Sequence, residues 1–90
     1  MNMSFYSDEE LARLGLKSYG KDVKISRNAS FYGASNIAIG NNVRIDDFCI
    51  LSGHIILGSN IHISAYVALY GTMGIELDDY TGISSRSTIY

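Results

Sequence analysis

The chain has 90 residues, a formal net charge of −2, nine glycines, one cysteine and no proline, and 47% of its residues are apolar. This length suits one small domain, and a single cysteine excludes a disulfide-stabilised scaffold. A charge near zero without a basic cluster argues against a nucleic-acid partner, and the apolar runs are too short to insert into a membrane. Residues 1–4 lack a secretory signal, so we expect a cytoplasmic protein.

The first predicted element is a short helix near the N-terminus. Ser7-Asp8-Glu9-Glu10 has the spacing of a capping box, with Ser7 as the N-cap and Glu10 three residues later. Leu11 and Leu14 share one face of this helix, and Gly15 is typical of a helix end. The sequence therefore predicts a helix from about Asp8 to Leu14, in a leader of residues 1–18 that covers the open end of the structure that follows.

A six-residue repeat occupies residues 19–90. Apolar residues, which we call anchors, recur at every sixth position with two slips of two residues, and ten of the twelve are Ile or Leu. The period fits neither an amphipathic helix nor an alternating strand. It predicts short strands joined by tight corners, each strand pointing its anchor inward. The anchors are Tyr19, Ile25, Phe31, Ile39, Ile45, Leu51, Leu57, Ile63, Leu69, Leu77, Ile83 and Ile89.

Each corner needs a residue that accepts a positive φ, and the fourth residue of each unit is the candidate. Asp and Asn tolerate this conformation best among the residues that are not glycine. They occupy four of these positions, at Asp22, Asn28, Asn42 and Asn60. Four less suitable residues stand at the same position in other units, namely Phe48, Tyr66, Tyr80 and Arg86.

Both slips fall at the same corner if three units make one triangular coil. Three sheets then follow: A (Tyr19, Ile39, Leu57, Leu77), B (Ile25, Ile45, Ile63, Ile83) and C (Phe31, Leu51, Leu69, Ile89). A glycine also recurs two residues after the first three anchors of sheet C, at Gly33, Gly53 and Gly71. Residues 19–90 thus hold about four coils, of which the last is incomplete.

The segments Ile39-Gly40-Asn41-Asn42-Val43-Arg44-Ile45-Asp46 and Leu57-Gly58-Ser59-Asn60-Ile61-His62-Ile63 resemble the hexapeptide-repeat acyltransferase family. The likeness covers residues 19–90, and the leader is similar to that of the sugar and polysaccharide O-acetyltransferase branch. The resemblance implies an all-β fold: a left-handed parallel β-helix of hexapeptide repeats with a short N-terminal α-helix. It also implies transfer of an acetyl group from acetyl-CoA to a hydroxyl or amine of a surface-polysaccharide sugar.

The outward face of sheet C carries no charge and several tyrosines, which favours a protein interface. We expect Tyr32, Ile50, Tyr70 and Tyr90 to lie in it. Members of the resembling family are trimers with active sites between subunits, so the expected partner is two further copies of the chain.

The resembling enzymes use a histidine as general base, and the chain has two. His54 lies at the corner between sheets C and A and is the candidate, whereas His62 lies on the outer surface of sheet B. Neither stands at the family's catalytic position, which falls a few residues beyond Tyr90, so we expect the N-terminal part of a longer enzyme. Two histidines do not make a three-histidine zinc site, and no metal is expected.

Three other features predict ordinary structural roles. Asp46-Asp47 and Asp78-Asp79 are adjacent pairs whose members point opposite ways in a strand, as surface carboxylates do. Cys49 stands at an inward position and is expected in the core. The alternative to an acyltransferase is a non-catalytic β-helix that serves as an oligomerisation or interaction module.

Overall fold

The computed structural model describes residues 4–90. Residues 1–3, which belong to the predicted leader and to the segment assessed for a secretory signal, lie outside this range. The described chain contains one α-helix, α1 (Asp8–Arg13), ten strands and a 3₁₀ turn at Ala34–Asn36. The strands are β1 (Ser18–Tyr19), β2 (Val23–Ile25), β3 (Ser30–Tyr32), β4 (Ile37–Ile39), β5 (Val43–Ile45), β6 (Ile50–Leu57), β7 (Ile61–Ile63), β8 (Ala68–Leu77), β9 (Gly82–Ile83) and β10 (Thr88–Ile89).

The capping box forms as predicted and starts α1. The Ser7 hydroxyl accepts from the Glu10 N–H (3.2 Å), and the Glu10 carboxylate accepts from the Ser7 N–H (2.9 Å). The helix ends at Arg13 with Leu14 as its C-cap, one residue earlier than expected. Leu11 is buried in the core. The Glu10 carboxylate accepts hydrogen bonds from both terminal guanidinium nitrogens of Arg27, Nη1 and Nη2. The leader is therefore fixed to the first coil, while the predicted division at residue 18 stays a prediction.

Strands of successive coils pair in parallel, as a β-helix requires. One sheet has the order β1-β4-β6-β8-β10, with β3 also paired to β6, and the other has the order β2-β5-β7-β9. All three predicted rows of anchors are in register: Tyr19, Ile39, Leu57, Leu77; Ile25, Ile45, Ile63, Ile83; and Phe31, Leu51, Leu69, Ile89. The structure confirms the predicted parallel β-helix with its short N-terminal helix.

The prediction of three separate sheets was wrong, because sheets A and C are one six-stranded sheet. Strands β6 and β8 each run through the expected corner, with a register shift between Gly53 and Ile55. A Cβ on Gly71 would lie 2.5 Å from the His54 carbonyl oxygen, closer than real contacts allow. The two glycines therefore let the backbones meet and the strands continue, and only the first coil is interrupted there, by the turn Ala34–Asn36.

The core is formed by inward rows running along the axis. Beside the anchors, Ile37, Ile55 and Ile75 pair across three coils and are buried. Cys49 is fully buried, as predicted. Tyr19 was wrongly expected inside: it is 38% exposed, because β1 is an end strand that pairs, within residues 4–90, with β4 alone.

The corners confirm most of the predicted positive φ angles. Seven residues that are not glycine adopt them, namely Asp22, Asn42, Phe48, Asn60, Tyr66, Tyr80 and Arg86. The expectation for Asn28 was wrong, since its φ is not positive. Contacts between coils offset the strain at the bulky corner residues. The Phe48 and Tyr66 rings stack at 5.2 Å, and the Arg86 guanidinium lies 4.9 Å from the Tyr66 ring centre.

Within residues 4–90, no helix has both the length and the hydrophobicity needed to cross a membrane.

Candidate functional site

A shallow groove lies on the outside of the six-stranded sheet, where β6 and β8 pass the corner. Its volume is about 250 Å³. We call it the corner groove, and its lining includes Lys17, Ala38, His54, Ile56, Met73 and Glu76.

Strand alternation builds the floor of the corner groove. Ala38, Ile56 and Glu76 lie in register on β4, β6 and β8. Their neighbours one position earlier, Ile55 among them, point into the core, so these three point outward. Ile56 is 54% exposed, which gives the floor an apolar centre next to the Glu76 carboxylate.

His54 lies at this groove, at the corner where the sequence placed it. It sits at the register shift of β6, and its ring is exposed. Within the described chain no hydrogen bond or ion pair involves the ring, so the imidazole is free to turn toward a ligand. Because Gly71 has no side chain, β8 can pass close to the backbone of His54; any Cβ at this position would collide with the His54 carbonyl oxygen.

The third coil is two residues longer than the second at this corner, and the extra length forms the rim of the groove. Met73 at its tip is 95% exposed, and Gly74 next to it has a φ of +91°. The lining combines apolar side chains such as Ile56 and Met73 with the polar side chains of Lys17, Asn36, His54 and Glu76, and small-molecule sites likewise combine an apolar lining with placed polar groups. The corner groove could hold an extended chain of low polarity, with His54 placed to accept a hydrogen bond or a proton.

The predicted interface residues lie on the outer face of the same sheet. Tyr32 is 60% exposed and Tyr90 89% exposed, whereas Ile50 and Tyr70 are partly buried. The Tyr70 and Tyr90 rings stack at 5.5 Å. On the strand between them, Ser52 is the residue that pairs with both Tyr32 and Tyr70. Tyr32 is therefore separated from the stacked pair of Tyr70 and Tyr90, and the tyrosines do not form an unbroken row. Their role as an interface stays a prediction.

A polar junction on the four-stranded sheet was missed by the sequence reasoning. Asp46 accepts from Arg44 Nε at 2.7 Å and is bonded to His62 Nε2 at 2.8 Å. Partial burial raises the pKa of Asp46, but the hydrogen bonds from Arg44 and His62 outweigh this and hold the pKa below its ordinary value. Asp47 points away and accepts from the Ser26 hydroxyl.

The missed signal was the coil length. His62 follows Arg44 by one coil of 18 residues and lies in register with it, and Asp46 follows Arg44 by two residues on the same face. Among residues 4–90, no group of three or more His, Cys, Asp or Glu side chains is arranged to hold a metal ion.

No protein-family model matches the chain. A curated relative, the dTDP-4-amino-4,6-dideoxy-D-glucose acyltransferase of Escherichia coli, is 48% identical over 91 residues, which cover 98% of this chain and 47% of the relative.

Solved structures of AntD, an N-acyltransferase from Bacillus cereus, are similar as well. A cysteine variant of AntD in complex with dTDP-4-amino-4,6-dideoxyglucose and coenzyme A shows 57% identity and a TM-score of 0.96, over 99% of this chain and 49% of AntD. AntD in complex with dTDP and 3-hydroxybutyryl-CoA shows 59% identity and a TM-score of 0.96, over 100% of this chain and 48% of AntD. The chain thus spans about half the length of the relatives it matches.

Proposed function

We propose that this protein is a coenzyme A-dependent N-acyltransferase whose acceptor is a nucleotide-activated amino sugar. The carrying observation is the likeness to AntD at 57% identity and a TM-score of 0.96 over 99% of the chain. The sequence predicted a hydroxyl or an amine of a polysaccharide sugar as the acceptor. We now propose one acceptor group, the amine of a dTDP-linked 4-amino sugar. Acetyl stays the expected acyl group, and 3-hydroxybutyryl, carried by the AntD ligand, is the second to test.

The reaction joins two substrates without a covalent enzyme intermediate. The amine nitrogen of the sugar attacks the thioester carbon, a C–N bond forms and the C–S bond breaks. The amine gives up one proton to a base, and the coenzyme A thiolate takes up one. We propose that the corner groove holds the acyl-pantetheine arm. His54, whose ring is exposed and unbonded there, is the candidate base that this chain offers, whereas the catalytic position of the resembling family falls beyond Tyr90.

The proposal includes a homotrimer in which the outer face of the six-stranded sheet packs against another copy. That face is uncharged at Tyr32, Ile50, Tyr70 and Tyr90, as interface centres are. A cytoplasmic location is also proposed, since acyl-CoA and nucleotide sugars are cytoplasmic metabolites.

Release of the coenzyme A thiol tests the function. The protein is mixed with acetyl-CoA or 3-hydroxybutyryl-CoA, with and without dTDP-4-amino-4,6-dideoxyglucose, and thiol is followed with a chromogenic disulfide. We expect release that depends on the amino sugar. Release that is absent with every donor, both from this folded chain and from a chain extended beyond Tyr90, would refute the enzyme and favour the alternative, a non-catalytic oligomerisation module.

His54→Gln tests the proposed base, with Arg13→Gln, an exposed change at the end of α1, as the control. Loss of a general base lowers kcat by about 100-fold or more, so His54→Gln should do so and Arg13→Gln should not. An unchanged rate in His54→Gln would remove His54 from the mechanism and leave the acyltransferase proposal intact.

A further inference from the structure

Three basic or imidazole side chains form a row on the outside of the four-stranded sheet, away from the corner groove. Lys24, Arg44 and His62 lie on β2, β5 and β7 and are in register on three successive coils. Paired strands lie about 4.8 Å apart, so the row spans roughly 10 Å. All three side chains are exposed.

Arg44 at the centre of the row is held from two sides. Its Nε is bonded to Asp46 Oδ1 at 2.7 Å, and the guanidinium carbon lies 5.4 Å from the centre of the Phe5 ring. Because the bond to Asp46 uses Nε, the terminal nitrogens Nη1 and Nη2 face no hydrogen-bond partner within the described residues. The planar fork is thus oriented in advance, which lowers the entropy lost when it binds an anion.

His62 is held by the same carboxylate. Asp46 Oδ2 lies 2.8 Å from His62 Nε2, which leaves Nδ1 for another partner, and the ring side is 52% exposed. Both Asp46 oxygens are therefore engaged with the row itself. The other nearby carboxylate, Asp47, is bonded to Ser26.

A surface hollow of about 330 Å³ opens beside Arg44, lined by Phe5, Asp46, Asp47 and Ala65 among others. Arg44 lines the hollow as well, so an incoming group has room beside this side chain. Guanidinium forks bind phosphate oxygens in pairs, and lysine adds a point charge.

We propose that the row Lys24, Arg44 and His62 binds a diphosphate group. The identity of the ligand rests on the proposed function, because a nucleotide sugar and coenzyme A both carry a diphosphate. Arg44 makes the paired contact, Lys24 supplies the second charge, and His62, held by Asp46, borders the site on the next coil. Asp46 acts as a positioning residue that fixes Arg44 and His62.

Titration calorimetry with inorganic pyrophosphate, dTDP and coenzyme A tests the site. The proteins are the unmodified chain, Arg44→Gln, Arg44→Lys and the control Arg13→Gln, which removes the same charge on α1. A charge-assisted hydrogen bond contributes enough that its loss weakens binding by about tenfold or more. We expect that loss for Arg44→Gln, partial recovery for Arg44→Lys and no change for Arg13→Gln, each with an unaltered circular dichroism spectrum.

The comparison of dTDP with coenzyme A identifies the ligand. The natural ligand is the compound whose binding is weakened by Arg44→Gln as much as the binding of pyrophosphate is. Equal binding of all three compounds by Arg44→Gln and the unmodified chain would overturn the site, as would failure of all three to bind. Acyl transfer that continues alongside either result keeps the proposed function. Binding of pyrophosphate that needs Arg44, without any acyl transfer by this chain or by a chain extended beyond Tyr90, supports the site and refutes the function.

Discussion

Substitution of Gly40 by alanine should destabilise the β-helix because two coils nearly touch there. A Cβ on Gly40 would lie 2.5 Å from the Gly58 carbonyl oxygen and 2.7 Å from the Ser59 hydroxyl. An ordinary C···O contact is about 3.3 Å or longer, so the coils would have to part by most of an ångström. The Gly40 N–H bond to the Leu57 carbonyl, now 2.9 Å, would lengthen with them.

The expected cost of Gly40→Ala combines two effects. Overpacking costs about 1–3 kcal/mol, and weakening one hydrogen bond adds about 0.5–1.5 kcal/mol. The free energy of unfolding should therefore fall by about 2–4 kcal/mol, measured from the midpoint and slope of urea unfolding followed by circular dichroism.

Gly82→Ala is the matched control. A Cβ on Gly82 meets nothing within 4 Å, and the φ of Gly82 is not positive. Alanine there restricts the unfolded chain and should stabilise by about 0.4–1 kcal/mol. Equal unfolding free energies for the two variants would refute the close contact between coils at Gly40.

Three further predictions concern the pH dependence of stability, the core thiol and the subunit contact. Hydrogen bonds from Arg27 and from the Ser7 N–H lower the pKa of Glu10 from 4.5 to about 2 in the folded protein, so stability should be lost as the pH falls between these values. From pH 5 to pH 2.5 the urea midpoint should therefore drop less in Glu10→Gln than in the unmodified chain, and an equal drop contradicts this. Burial raises the pKa of the Cys49 thiol, which should react with a disulfide reagent only after unfolding; rapid reaction of the native protein contradicts this. Tyr32→Lys should give monomers in light scattering, whereas Tyr80→Lys, at another exposed tyrosine, should leave trimers; trimers in both variants contradict the interface.

The rows of the core were predictable because the inward side chains recur at a fixed spacing along the chain. Ile25, Ile45, Ile63 and Ile83 pair as the six-residue period requires. Tyr19 departed from the rule since it lies on an end strand, where the next coil covers one side only.

Features that depend on contacts between coils were harder to predict. The burial of Ile37 and Ile75 was not predicted, because both follow the two-residue insertions, which displace them from the six-residue period. The positive φ of Phe48 and Tyr66 runs against their local preference, and it is stacking of the two rings across coils that offsets the cost.

The candidate site was predicted in part. The position of His54 at the corner followed from the repeat, and the corner groove beside it contains that residue. The bonds of Asp46 to Arg44 and His62 were not predicted, because a shared outward face brings these side chains near one another without showing that they meet.

Mass spectrometry of the sugar product tests the central proposal most directly. The protein is incubated with acetyl-CoA or 3-hydroxybutyryl-CoA and either dTDP-4-amino-4,6-dideoxyglucose or dTDP-glucose, which offers a hydroxyl in place of the amine. The proposal predicts a product heavier by one acyl group from the amino sugar and none from dTDP-glucose. An unmodified amino sugar with both donors, from this chain and from a chain extended beyond Tyr90, or equal acylation of dTDP-glucose, would contradict an N-acyltransferase.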